Sequence, residues 1–337
     1  MTGPTGPTGP TLGTGMAGSS QHAGIGLDMG GTKCAGLLLD AAGQMVAEHI
    51  VPTPGREGPE AVLAALTGVA QLMFNKAAER ELQVVGIGVG VPGLITLDGE
   101  LRFAGHLGGR VGLRLGELLP ARFGVPAVID NDNTAAAYAE WVSGAAQGFG
   151  DVLYVGFGTG IGGGIISGGV LQRGANGFAG EVGHIAIDPL GPECTCGRRG
   201  CWELVASGLA MGRHGERAIE AGTWIPPVGV MRPVRGIDVT DHAATGDVGA
   251  LAVIEAFARH LAAGLVNLSM VLDPAVIVLG GGAMTRHDLL LPPVAARFRA
   301  LLGGSADLRP IPALRGAQHG PRAGAIGAAL LALHAAA

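Results

Sequence analysis

Aromatic residues make up only 4% of this 337-residue sequence, and charged residues only 15%. The net charge of −5 and a pI near 6.0 exclude a broad surface for nucleic acid or anionic membrane. Four cysteines, with Cys34 standing alone, do not make a disulfide framework, so a reducing cytoplasm is the expected compartment. No unbroken apolar run reaches the roughly 18 residues of a membrane span. The N-terminal stretch has neither a charged n-region nor an apolar h-region, and secretion is not expected.

What the chain does have is apolar bulk and glycine. Hydrophobic residues reach 48%, mean hydropathy is +0.40, and there are 62 glycines with no collagen period across the body. The length predicts two domains. Residues 1–23 carry three Gly-Pro-Thr triplets and are predicted to be a disordered tail. From Gly24, "GIGLDMGG", "KCAGLLLD" and "QMVAEHIV" predict three antiparallel strands. Val62, Leu66, Val69, Met73 and Ala77 recur at helical spacing after Pro59. "VVGIGVGVPG" predicts a buried strand, and "PAVIDN" a strand leading into a helix.

The pattern restarts at residue 151, where "DVLYVGFGTGIGGGIISGGVLQ" is again strand, glycine turn, strand. A long helix with Ile254, Phe257, Leu261, Leu265 and Leu268 on one face ends at Asp273-Pro274, and "AVIVLGGG" follows as a strand. Residues 221–240, with three prolines, predict an irregular surface insertion. This weak duplication predicts an α/β fold of two related domains with a cleft between them. The domains are expected at 24–133, completed by a closing helix at 321–337, and at 134–320.

Several motifs suggest chemistry. In "GLDMGGTK", Gly30 and Gly31 leave backbone N–H groups open to phosphate, Thr32 adds a hydroxyl, Lys33 is a further candidate at the cofactor, and Asp28 is placed to hold Mg²⁺ through water. It is not a Walker A loop, because a strand follows. Gly158, Gly160 and Gly163 fit G-x-G-x-x-G, yet a strand follows here too, which rules out a dinucleotide fingerprint. Two such hairpins can grip a nucleotide's phosphates. Asp132 opens a helix: either it is the N-cap or it is a carboxylate that accepts a substrate proton, kept ionised by the helix N-terminus. Ala135 and Trp141 exclude an EF-hand.

Cys194, Cys196 and Cys201, with His184 upstream, supply three thiolates and an imidazole, the closed tetrahedral set of a structural Zn²⁺ site. Gly197 and Gly200 allow tight folding around it. Glu181 and Glu203 flank this loop and would be held rigidly as acceptors for vicinal hydroxyls, with Asn131 adding an amide.

Together "LDMGGTKCAGLLLD", "GVGVPGLI", "NDNTAAAYAE", "GTGIGGGII", "GFAGEVGH", "CTCGRRGCWE" and "VIVLGGG" resemble the signature of the ROK family of repressors and sugar kinases, from about residue 24 onward. The resemblance implies an actin-like ATPase fold with ribonuclease H-like halves, ATP with Mg²⁺, a hexose acceptor, and a homodimer or homotetramer. It implies that Asp132 is the catalytic base and that Gly93, Asn131, Glu181, His184 and Glu203 meet the sugar, His184 serving zinc as well. It puts Gly30, Gly31, Thr32, Gly158, Thr159 and Gly160 at the phosphates and Gly281 and Gly282 at the adenosine. Two positions depart from the pattern: Thr134 stands where the kinases have a second Asn, and His106 where glucokinases have Asn. The expected activity is a glucokinase. N-acetylmannosamine, mannose, fructose or allose as acceptor, and polyphosphate as donor, are alternatives. A sugar-responsive regulator is the rival class, though no basic recognition helix precedes the first strand.

Overall fold

A computed structural model of the chain describes residues 21–54, 57–105, 109–227 and 230–336. Residues 1–20 of the predicted tail, and His106, lie outside the described residues. The last residues assigned to that tail are already structured: the first strand starts at His22, which pairs with Gln83.

Two five-stranded sheets share one strand order. The first joins β1 (His22–Met29), β2 (Lys33–Asp40), β3 (Met45–Pro52), β4 (Gln83–Val91) and β8 (Ala127–Asn131) in the order β3-β2-β1-β4-β8. β1–β2 and β2–β3 are antiparallel, while β4 lies parallel to both β1 and β8. The second joins β9 (Val152–Phe157), β10 (Ile161–Ser167), β11 (Val170–Gln172), β12 (Val276–Gly280) and β13 (Ala313–Gly316) in the order β11-β10-β9-β12-β13. There β12 is parallel to β9 and β13. The duplication expected from sequence is thus a repeated sheet. A small antiparallel sheet of β5 (Leu94–Ile95), β6 (Glu100–Ala104) and β7 (Gly109–Arg114) was not anticipated.

Helix α1 (Pro59–Ala78) buries all five of its predicted apolar positions. Leu27 and Gly36, opposite one another in β1 and β2, face α1, with Val69 against Gly36. The next positions along the pleat face α9 (Ala323–Ala335), whose small residues approach the strand backbone closely. A Cβ on Gly88 would stand 1.8 Å from the Ala328 carbonyl, so this contact requires glycine. This packing explains how a chain poor in aromatics fills its core.

The described chain divides into two compact units. The first holds residues up to Gly150, Gly164–Gly180 and the chain from Pro321; the second holds Asp151–Gly163 and Glu181–Gly320. The boundary expected at 133/134 is displaced because α3 (Asp132–Ser143) packs along α9, Gly327 lying against the Ala135 carbonyl. Helix α2 (Leu115–Phe123) completes the first unit.

The second unit carries α4 (Glu203–Ala206), α5 (Gly208–Glu220), α6 (Gly236–Ala244), α7 (Val248–Leu272) and α8 (His287–Leu302). Asp273, left-handed at φ 46°, ends α7 where the sequence predicted. The stretch 221–240 is not simply a surface insertion. Trp224 is buried, its indole N–H donating to Asp247, and α6 begins at Gly236. By length and hydropathy α1 and α7 match a membrane span, although neither is an unbroken apolar run. Each buries an apolar stripe in the protein core, which accounts for that character.

Candidate active site

In the first unit, three parallel strands bring their carboxyl ends together. Asp28 of β1 pairs with Gly90 of β4, and Gly90 with Asp130 of β8. Open α/β sheets bind ligands at this end. Asn131 is the true N-cap of α3: its side-chain oxygen accepts from the Asn133 N–H at 2.9 Å and the Thr134 N–H at 3.4 Å. Its amide donates to the Gly93 carbonyl at 3.3 Å. Asn131 therefore caps the helix and ties it to the Val-Pro-Gly loop.

Capping by Asn131 leaves Asp132, in the first turn, free for other work. One of its oxygens accepts from both the backbone N–H and the side-chain amide of Asn133, each at 3.0 Å. Burial outweighs these bonds and pushes its pKa up to about 6. The helix terminus therefore does not keep it at the ordinary carboxylate value, because desolvation is the larger effect, although a carboxyl with a pKa of about 6 is still mostly ionised at neutral pH. Asp28 is pushed up to about 7, first by burial and then by the charge of Asp132, with Lys33 opposing. A carboxyl with a pKa near 6 suits proton transfer at neutral pH.

The turn from Gly30 to Lys33 closes through the Gly30 N–H and the Lys33 carbonyl at 2.8 Å. The Thr53 hydroxyl donates to the Gly30 carbonyl at 2.7 Å, and the Thr53 N–H to that of Thr32 at 3.1 Å. A Cβ on Gly31 would meet nothing, and its φ is not left-handed, so the protein itself does not demand glycine there. An open backbone suits an approaching anion.

In the second unit the turn between β9 and β10 closes through the Gly158 N–H and the Gly160 carbonyl at 3.0 Å. Thr159 is its central residue, and β10 follows it as a strand, as expected. Gly158 and Gly282 have open space at Cβ, whereas Gly281 has φ 82° and lies against the Phe157 backbone. Gly208 N–H donates to the Gly158 carbonyl at 2.9 Å, with Ala283 also beside Gly208, so the turn and the 281–283 segment meet.

The cysteine loop lies in the same unit. One donor atom from each of His184, Cys194, Cys196 and Cys201 falls within 4.8 Å of the others. Gly197 and Gly200 are left-handed, and a Cβ on Gly200 would strike the Asp188 carbonyl at 1.5 Å. Trp202 anchors the loop, its indole N–H donating to the His260 carbonyl on α7 at 2.9 Å. His184 turns Nδ1 toward Cys194 at 3.6 Å and Nε2 toward Glu181 at 3.7 Å. Glu203 has one oxygen 3.2 Å from the Cys194 sulfur and 3.4 Å from His184 Nδ1. Its other oxygen leans on Gly160, where a Cβ would stand 2.5 Å away. Glu203 thus spans the cysteine cluster and the glycine turn. Three thiols and an imidazole suit a structural tetrahedral metal site.

The ROK family profile matches residues 24–335. The chain belongs to the ROK family. It is 36% identical over 315 residues to a glucokinase of Streptomyces coelicolor, covering 91% of this chain and 96% of that one. The crystal structure of a ROK family glucokinase from Streptomyces griseus, in complex with glucose and AMPPNP, superimposes with a TM-score of 0.80 at 34% identity, covering 92% of this chain and 98% of that chain. A xylose repressor of Bacillus spizizenii is 32% identical over 292 residues, 85% of this chain and 72% of the repressor. The fold is accordingly the two-domain α/β, actin-like ATPase architecture of ROK kinases.

Within this ROK protein, Gly93, Asn131, Asp132, Asp28 and the Gly30–Lys33 turn gather in the first unit. Glu181, His184, Glu203, the cysteines and the two glycine segments gather in the second. Two polar groups went unnoticed in the sequence. Asn133 holds Asp132, and Arg173 pairs with the buried Asp130 at 2.7 Å. The signal for the second was present: an aspartate inside the apolar strand "PAVIDN" needs a cation.

Proposed function

We propose that this chain is an ATP-dependent hexose kinase that phosphorylates the 6-hydroxyl, with glucose as its acceptor. The observation that carries this reading is Asp132, held by Asn133 beside the Asn131–Gly93 bond, with its pKa lifted to about 6. Asp132 takes the proton of the sugar hydroxyl, and that oxygen attacks the γ-phosphorus in line as the bond to the β-phosphate oxygen breaks, releasing ADP. Glu181, His184, Glu203 and Asn131 hold the remaining hydroxyls. The turns at 30–33 and 158–160 offer backbone N–H groups to the phosphates, and Gly281 and Gly282 border the adenosine. Loose phosphoryl-transfer transition states need mainly positioning and charge stabilisation. Mg²⁺ held through water by Asp28 would neutralise phosphate charge, and Zn²⁺ at the cysteine loop would stiffen the Glu203 segment.

Glucokinases among the relatives support this activity, and four unpaired cysteines suit the cytoplasm. Assembly as a homodimer or homotetramer belongs to the same reading. A coupled ADP-release assay tests it, run with ATP and with polyphosphate over glucose, N-acetylmannosamine, mannose, fructose and allose. Glucose with ATP is expected to give the highest kcat/KM; no turnover on any hexose would overturn the proposal. The xylose-repressor relative supports a second reading, a sugar-responsive regulator. Retention on DNA at physiological salt together with absent turnover would favour it.

A further inference from the structure

The Asp130 side chain is 7% exposed, in a strand otherwise built to be apolar. One of its oxygens takes both the Nε and Nη2 hydrogens of Arg173, at 2.9 and 2.7 Å. Such a group is costly to bury and is kept only with its counter-charge.

Its surroundings suggest what it does. Asp130 immediately precedes Asn131 and Asp132. Arg173 immediately follows β11, and its carbonyl accepts from the Ala179 N–H at 3.0 Å, closing a loop over 173–179. Within that loop Gly177, at φ 90°, lies against the Ile95 carbonyl, where a Cβ would stand 2.3 Å away. Ile95 is two residues beyond Gly93, and the Gly93 carbonyl accepts the Asn131 amide at 3.3 Å. The contacts therefore close a ring, from Asp130 through Arg173, Gly177, Ile95 and Gly93 back to Asn131, entirely inside the first unit.

We propose that Asp130 and Arg173 are positioning residues, whose ion pair closes this ring and holds Asn131 and Asp132 in place for proton transfer. The inference rests on the reading of Asp132 as the base. Neither residue touches the reacting atoms; each acts through the 131–132 segment. A mobile end of β8 would let the Asp132 carboxylate drift, and small misplacements of a base cost large factors in rate.

Removing Arg173 alone would leave a buried charge and destabilise the fold, so the decisive variant is the double one, Asp130→Asn with Arg173→Met. It is expected to melt within a few degrees of the parent. Its kcat should fall at least tenfold while the KM for ATP stays unchanged, and the Asn133 and Thr134 amides should exchange hydrogen at least tenfold faster. Parental kcat and parental exchange would overturn the proposal. Arg173→Lys keeps the charge without the paired donors and should fall between parent and double variant; if the double variant does not fold, parental kcat and exchange in Arg173→Lys overturn the idea. Should the parent turn over no hexose, the kinase reading fails, and unchanged protection at 133 and 134 then sinks the positioning role by itself.

Discussion

Asp132 raises the pKa of Asp28. The two carboxyls stand at the carboxyl end of one sheet: a Cβ on Gly90 would lie 3.8 Å from Asp28 Oδ1 and 3.4 Å from the Asp132 Cα. Burial and the charge of Asp132 together lift Asp28 to about 7, and burial lifts Asp132 to about 6. A pair of acids placed so closely suits a site that receives cationic charge, and it gives the protein a specific pH behaviour.

Both acids hold protons more tightly when folded than their unfolded value of 3.8. The folded state therefore binds more protons between about pH 4 and 7, and stability falls as pH rises through that window. Asp28→Asn removes the larger penalty. It is expected to stabilise the unliganded protein at pH 8 by roughly 1–3 kcal/mol and to change little at pH 4. Thermal melts at the two pH values check this, and equal effects at both would contradict it.

Proton transfer needs Asp132 ionised, so kcat/KM is expected to rise with pH through about 6. Asp132→Asn should lower kcat by about 10²- to 10⁴-fold, the range for a lost general base, and leave sugar binding nearly intact. Steady-state kinetics and a direct binding titration separate the two effects.

Glu203 is expected to act on the sugar side. Glu203→Gln should raise the sugar KM about 10- to 100-fold, as loss of a charge-assisted hydrogen bond does, with the ATP KM near parental. Trp202 is the adjacent residue, and its fluorescence offers a titration independent of turnover.

The cysteine loop should retain one zinc per chain on purification. Cys201→Ser is expected to lose that metal and to lower Tm by roughly 5 °C or more. Elemental analysis with a melting curve decides it; a metal-free parent of equal stability would remove the structural role.

Gly31→Ala and Gly88→Ala distinguish two uses of glycine. At Gly31 a methyl meets nothing, so Tm should stay within a degree or two while the ATP KM rises. At Gly88 a methyl meets the Ala328 carbonyl, and the fold should lose at least about 2 kcal/mol. Melting curves and ATP kinetics on the pair provide the check.

Local chemistry was legible in the sequence wherever neighbours along the chain do the work. The three strands between Gly24 and Pro52, the stripe of α1, the C-terminal stop of α7 at Asp273, and the close spacing of Cys194, Cys196 and Cys201 all depend on period, turn residues or short separation. The gathering of those cysteines with His184 follows from one short loop. Other features depend on residues far apart in sequence. Nothing local tells Asn131 from Asp132 as the cap; the Gly93 carbonyl, reached only in three dimensions, holds Asn131 in that role. The raised pKa of Asp132 is not legible locally, because a helix terminus is visible in sequence, whereas the burial that opposes it comes from the surrounding fold. In the same way "PAVIDN" shows an acid in a strand but not that Arg173, 43 residues on, neutralises it. Periodicity and spacing therefore settle the long strands and helices and which groups are available, though not the small β5–β7 sheet or α6; pKa, capping and pairing were decided by tertiary packing, because desolvation and hydrogen-bond partners are supplied by distant segments.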